Sequence, residues 1–450
     1  MLKGLMDVST HTIYYKSPIF MQHAFTSAYG YKLKRERYSH LYRRALQRYV
    51  KGDFDREAML THFMNHLKRN ISVYADIEID EDDIFSSFLK LPMTAKADLR
   101  YALDARSCKQ GQLRFSGTSG TTGESLAVYD SEYDRADRMA YLDYIKLKNG
   151  VPPFSRRASF TGQDLTPPRH RDIIWRYNIP MNQVLYAANH LTSRNIGNVY
   201  AHLARYRPVE LDGFPSAIHM VAKYMLANNI IHPWEVKAVF PTAEILLPHV
   251  RADIERAFGA AVIDQYASGE GAPFIYGRRD GGYNIGHETG IFEFHKVGRH
   301  LYEMVVTSFI NYATPIVRYR IGDQVEIDSD ADYLNSYTDE VDLRKIFGRE
   351  SDYLIGSNSN RVTSVGIARA VEGIEDKIIA FQFIQEDLKR FIVNLVVEAD
   401  YDEKSDRLFK RRVVRRLGQD SDIEYRYVES IPREKNGKIR FIKNTVADAG

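Results

Sequence analysis

The sequence predicts an α/β protein: a large multi-subdomain N-terminal domain of layered sheets and helices, then a small α+β C-terminal domain. Three observations predict it. Between residues 158 and 260, short β-like runs alternate with helical ones. At 450 residues, the chain is long for a single hydrophobic core. After Phe347-Gly348-Arg349-Glu350-Ser351-Asp352, residues 351–450 carry an α/β pattern of their own, so the boundary is set near Ser351 and the large domain at 1–350.

Residues 1–75 read as a helical lead-in rich in Tyr and Arg. Its basic run, residues 31–38, has the character of a solvated helix face. A helix near residues 55–70 and an acidic loop at 78–83 follow. Thr94 is placed to cap a helix running to Leu103. Next comes Ser116-Gly117-Thr118-Ser119-Gly120-Thr121-Thr122-Gly123, which packs three glycines and five hydroxyls with no bulky residue. The glycines permit left-handed turns. Backbone N–H groups turned toward one point form an anion nest suited to phosphate. No Gly-Lys-Ser/Thr closes the loop, so it is not a Walker A motif, and a lysine must come from elsewhere or be absent. Ser/Thr/Gly runs of this kind also serve as plain linkers.

Residues 126–129 read as a strand, which makes the loop the tip of a hairpin-like turn. Residues 131–148 read as a helix stopped by Asn149-Gly150-Val151-Pro152-Pro153. Strand-like runs at 158–161, 210–213 and 238–240 then alternate with helical runs at 195–206, 216–228 and 249–258. Residues 261–266 read as one strand, ending in Ala267-Ser268-Gly269-Glu270-Gly271. Runs at 290–294, 302–308 and 317–320 are strand-like, and 328–342 is acidic and turn-like.

Composition narrows the class. The chain is 44% hydrophobic and 27% charged, as ordinary globular proteins are. A net charge of +3 is too small to imply a nucleic-acid partner. The lone cysteine, Cys108, excludes a disulfide framework and a cysteine-rich metal site, and fits a reducing compartment. Lys3, Asp7 and His11 interrupt the first residues, so no signal-peptide core is expected, and no apolar run reaches membrane-spanning length. A cytoplasmic protein is the expectation.

Further fragments stand in one order: Ala243-Glu244; Tyr266-Ala267-Ser268-Gly269-Glu270; Val306-Thr307-Ser308-Phe309-Ile310-Asn311 with Pro315-Ile316-Val317-Arg318-Tyr319-Arg320-Ile321-Gly322-Asp323; Gly348-Arg349-Glu350-Ser351-Asp352; and Pro432-Arg433-Glu434-Lys435-Asn436-Gly437-Lys438. With the loop at 116–123, they resemble the adenylate-forming superfamily of acyl-CoA synthetases, adenylation domains and luciferases. Within it, the likeness is to the phenylacetate-CoA ligase, coenzyme F390 synthetase and CapK-like branch, and runs from about residue 85 to the C-terminus.

The resemblance implies attack of a substrate carboxylate on the α-phosphate of ATP, with pyrophosphate leaving. Both reactants are anions, so the protein must offset their repulsion and fix an in-line geometry. ATP would be held by Ser116, Thr118, Ser119, Gly120, Thr121, Thr122 and Gly123 at the phosphates. Ala243 and Glu244 would meet the adenine edge, Tyr266 its face, Asp323 the ribose hydroxyls, and Arg349 the ribose or a phosphate. Glu270 would hold Mg²⁺, a hard ion that prefers oxygen ligands. Lys438 would bridge the carboxylate and the α-phosphate, carried by a mobile lid, residues 351–450, hinged at Ser351. His190, Gly213, Phe214, Ser268 and Gly269 would line the acid pocket.

Three positions depart from the pattern: Ala267 replaces a glycine, Ser351 replaces a hinge Asp, and Glu124-Ser125 makes the loop's far edge acidic. His287 and His295 lack a cysteine partner, so no zinc site is expected there. The acid is open. The acceptor is open too, among coenzyme A, a carrier-protein thiol, an amine and a sugar hydroxyl. AMP transfer, or nucleotide binding without turnover, is the alternative activity, and a homodimer is admissible. The basic segment 407–417, with apolar residues at helical spacing, reads as a solvated helix over an apolar stripe, or as a contact for coenzyme A or an acidic carrier protein.

Overall fold

In a computed structural model, the described residues are 8–101, 103, 106–108, 113–117, 127–163, 165–167, 170, 172–244, 246–268, 271–349, 353–357, 361–363, 367, 370–371, 373–374, 377–433 and 440–446. The lead-in is helical: α1 (Val8–Lys16), α2 (Ile19–Arg37), α3 (His40–Lys51) and α4 (Arg56–Asn70). Ser39 and Asp55 cap α3 and α4 by accepting from the N–H groups of Leu41 and Ala58. Leu60, Phe63, Met64 and Leu67 fall on one face of α4 and are buried. The short helices α5 (Ile84–Leu89) and α6 (Lys96–Tyr101) follow. Thr94 does not cap α6. Its hydroxyl donates to Val317 O at 2.8 Å and its backbone pairs with Tyr319, while Asp98 accepts from Ala95 N.

Strands β1 (Arg114–Gly117) and β2 (Ala127–Asp130) form the expected hairpin, with Ser116 opposite Val128 and Gly117 opposite Ala127. Helix α7 (Glu132–Lys148) starts on a capping box between Ser131 and Asp134.

The central layer is a six-stranded sheet of β3 (Arg157–Thr161), β4 (Trp175–Asn178), β5 (Gln183–Ala187), β6 (Glu210–Gly213), β7 (Ala238–Pro241) and β8 (Ala261–Val262), in the order β4-β5-β3-β6-β7-β8. All pairs are parallel except the edge pair β4–β5. Helices α8 (Ile196–Tyr206), α9 (Pro215–Ala227) and α10 (Pro248–Phe258) supply the crossovers that parallel pairing requires. Phe160, Tyr186, Leu211, Ile218, Val221 and Val239 pack the core between them. The sequence pattern does not announce β4, because Arg176 lies buried within it. Its guanidinium donates to Gln22 and to the carbonyls of Ile173 and Trp175.

Residues 261–266 form two strands rather than the single one expected. Strand β8 ends the parallel sheet, and β9 (Gln265–Tyr266) begins an eight-stranded antiparallel sheet with β10 (Ile275–Gly277), β11 (Tyr283–Ile285), β12 (Gly290–Gly298), β13 (Leu301–Ser308), β14 (Tyr319–Ile327), β15 (Tyr333–Asn335) and β16 (Leu343–Arg349). Its order is β15-β12-β13-β14-β16-β11-β10-β9. Asp264 sits at the crossing and accepts from Tyr283 Oη at 2.7 Å; burial pushes its carboxyl above the usual range. Strand β15 lies in the segment expected to be turn-like.

After residue 353, β17 (Tyr353–Ile355) pairs with β18 (Arg361–Thr363). A four-stranded mixed sheet follows, of β19 (Ile378–Gln385), β20 (Arg390–Val397), β21 (Asp422–Tyr427) and β22 (Ile442–Asn444), in the order β21-β20-β19-β22. Helix α11 (Glu403–Leu417) buries Phe409, Val413 and Leu417 against Phe383 and Val393 and exposes Lys404, Arg407, Arg411 and Arg415. Among the described residues, this core draws on residues 354–442. Among the described residues, no helix is long and apolar enough to cross a membrane.

Candidate active site

Parallel strands present their C-terminal ends at one edge, where open α/β sheets place ligands. Here that edge carries Gly162 after β3, Ala188–His190 after β5, Phe214 after β6 and Thr242 to Glu244 after β7. The turns lock one another. Phe214 N donates to Phe160 O at 3.0 Å, Thr242 N to Gly213 O at 2.9 Å, and Asn189 Nδ2 to Gly162 O at 3.4 Å. Asn195 Nδ2 holds His190 O at 2.7 Å. Gly213 has φ +118°, and a Cβ there would lie 1.9 Å from Phe160 O, so this position accepts only glycine. Ala243 is left-handed at φ 71°, a strain of about 1 kcal/mol for a residue with a side chain. Four of the expected positions, His190, Gly213, Phe214 and Ala243, thus share one edge.

Glu244 lies there too, but its carboxylate is committed to the protein. It accepts from Ser216 N at the start of α9 and pairs with Arg433 at 3.0 Å. The negative charge sits at a helix N-terminus, where the dipole favours it.

The second sheet meets this edge through β9. Thr242 pairs with Gln265 across the junction, which brings Tyr266 beside Glu244's turn. The Tyr266 hydroxyl donates to Asp323 in β14. Asp323 stands at a bulge opposite Arg349 of β16. The backbone of Arg349 is therefore next to Asp323; its side chain lies outside the described residues. Two residues past Tyr266, Ser268 O accepts from Arg138 Nη2 at 2.8 Å. Gly271, at φ +93°, backs onto Asn311 closely enough that a Cβ would sit 2.7 Å from its amide nitrogen. The fragments 266–271 and 306–311, distant in sequence, are thereby side by side.

The hairpin is tied to the same place. Tyr129 N donates to Thr314 Oγ1 at 2.9 Å, and Thr314 N donates to Asn311 Oδ1 at 3.2 Å. Asp134 accepts from Tyr312 N and Ala313 N. The turn at 311–314 thus clamps the base of the hairpin and the start of α7. Ser116 belongs to β1; Thr118, Ser119, Gly120, Thr121, Thr122 and Gly123 lie outside the described residues, as do Gly269, Glu270, Ser351 and Lys438.

Arg318 stands within the Pro315–Asp323 fragment, yet its guanidinium faces inward. It grips both oxygens of Glu293 and the carbonyl of Leu91, tying the lead-in to the antiparallel sheet. Sequence reasoning missed Arg433, Arg138 and Thr314 as organising residues. Arg433 stood in the fragment read for Lys438, and only its geometry distinguishes it. Among the described residues, no group of three or more His, Cys, Asp or Glu side chains could hold a metal ion. A Mg²⁺ carried by one carboxylate and substrate phosphates needs no such group.

Residues 354–445 match the CapK C-terminal domain family. Protein CapK of Staphylococcus aureus is 33% identical over 446 residues, covering 96% of this chain and 99% of that protein. Among solved structures, a 2-hydroxyisobutyryl-CoA ligase in the postadenylation state with 2-HIB-AMP superposes with a TM-score of 0.62 at 16% identity, covering 86% of this chain and 88% of that one. The same ligase in the thioesterification state with 2-HIB-AMP and CoA gives 0.50 at 17% identity, covering 88% and 90%. At these identities, the likeness is one of fold.

Proposed function

The chain belongs to the CapK family and has the fold of adenylate-forming ligases, and from that premise we propose that it activates a carboxylic acid as an acyl-adenylate. ATP supplies the adenylyl group and pyrophosphate leaves. The acyl group then passes to a thiol, amine or hydroxyl acceptor. The observation that carries this reading is the meeting of Tyr266, Asp323 and the backbone of Arg349 at the mouth of the parallel sheet.

In this reading, Asp323 takes the ribose hydroxyls and the Tyr266 hydroxyl orients its carboxylate. Tyr266's ring and the Ala243 turn bracket the adenine. Ser116 and residues 118–123 cradle the phosphates. Mg²⁺ bound through Glu270 would neutralise phosphate charge. Gly213, Phe214 and His190 line the acid's side of the edge. Residues 351–450 act as a lid, hinged near Ser351, which delivers Lys438 to the carboxylate and the α-phosphate. Lysine suits that task as a compact charge with three donors.

The test is ATP–pyrophosphate exchange across a panel of carboxylic acids. At least one acid should support exchange, and Lys438→Ala should lower that rate by roughly 10²–10³-fold, as loss of a preorganised donor does. Exchange with no acid, or an unimpaired variant, would overturn the reading.

A further inference from the structure

Among the described residues, side chains of the unit after residue 353 clasp α9 and the turn after β7 at two places. In the first, Arg433 Nη1 donates to Glu244 Oε1 at 3.0 Å and Nη2 to Ser216 Oγ at 2.7 Å, with the guanidinium 5.7 Å from the centre of the Phe214 ring. The two charged side chains are only 13% and 4% exposed. In the second, Lys223 Nζ donates to Glu398 Oε2 at 2.7 Å. Ser216 and Lys223 are seven residues apart on α9, two turns and so on one face, about 10 Å from each other.

Arg433 lies five residues before Lys438 in the chain. Five residues span at most about 17 Å, so an anchor at 433 restricts where the lysine can reach. The anchor is built against the turn that carries Ala243, not on open surface. A buried, hydrogen-bonded guanidinium between a carboxylate and a hydroxyl has one geometry, set by its planar fork.

Resting on the adenylation reading above, we infer that Arg433 is a positioning residue: its seat on Glu244 and Ser216 docks the C-terminal unit against α9 in the arrangement that supports adenylation. Glu244 acts as its receptor rather than as a ligand of the nucleotide. A displacement of about 1 Å at a reacting group can cost about 10²-fold in rate, which sets the scale of the expected effect.

The experiment compares the full-length chain with Arg433→Ala, Glu244→Ala and the exchanged pair Arg433→Glu with Glu244→Arg. Each is assayed for pyrophosphate exchange, for KM against kcat, for its thermal midpoint, and for carbodiimide coupling of Lys223 to Glu398, read by mass spectrometry. That coupling needs no substrate and reports the docked lid directly. Either single variant should lose about 10²-fold in kcat with KM for ATP within about threefold. Coupling should fall, and the thermal midpoint should be kept. The exchanged pair should recover at least tenfold over the singles. Unchanged exchange and unchanged coupling in Arg433→Ala overturns the inference. Coupling that falls while the wild type shows no exchange with any acid upholds the seat and defeats the adenylation reading. Loss of exchange with coupling and KM intact shows Arg433 acting other than by seating, which also overturns it.

Discussion

Asp323 and Tyr266 are 57 positions apart in sequence, and each is legible only as a letter in a short fragment. That the tyrosine hydroxyl orients the carboxylate is not legible, because spacing along the chain carries no information about distance across sheets. Gly213 is another case. Its place after a strand is visible in the sequence; the Phe160 carbonyl that excludes any side chain there is not. Gly213→Ala combines a φ of +118° with a 1.9 Å contact against backbone that cannot move aside. It should lower unfolding stability by about 3 kcal/mol or more, read from the urea midpoint at unchanged slope. Glu244 shows the converse: its fragment is recognisable, but its carboxylate serves Arg433 and Ser216.

At the scale of elements, helices with clear caps and stops were readable. Helix α7 is one, between its Ser131 capping box and the Asn149-Gly150 stop. The pairing of 114–117 with 127–130 followed from glycine-rich chain between two extended runs. Two strands were hidden for physical reasons. Strand β4 carries an arginine whose charge is satisfied by partners far away in sequence. Residues 261–266 look continuous because nothing in local propensity marks a change of sheet, which here depends on Asp264 turning to Tyr283. In the C-terminal unit, α11 shows a plain amphipathic period, and its apolar stripe is the core. Phe409→Ala should cost about 3–5 kcal/mol, observed as earlier unfolding of this unit by hydrogen exchange while the parallel sheet keeps its protection.

Two neutral histidines pack against Tyr177 in the parallel sheet, His23 from α2 and His202 from α8. His202 is stacked on Trp175 at 4.1 Å and hydrogen-bonded to the hydroxyls of Tyr177 and Tyr186. His23, on α2, accepts from Tyr177 N. Burial, with neighbouring positive charge, lowers both to about 4. The unfolded chain therefore binds protons that the folded chain refuses between pH 6.5 and 4. Stability is full above pH 6.5 and falls as the medium is acidified through that window, by up to about 3 kcal/mol for His202. His202→Gln should flatten the slope there by up to about 1.4 kcal/mol per pH unit, measured as unfolding free energy against pH. That the chain after about residue 351 carries an α/β pattern of its own was legible in the sequence; which face of which helix the C-terminal unit meets was not. That resting face has a consequence for how such proteins diversify. Helix α9 turns Ala217, Ile218, Val221, Ala222 and Met225 into the core, and offers the C-terminal unit Ser216 and Lys223, with Phe214 just before them. Among the described residues, Ser216, Lys223 and Glu244 meet Arg433 and Glu398 without drawing on either hydrophobic core, so the joint can change in sequence while both cores stay as they are.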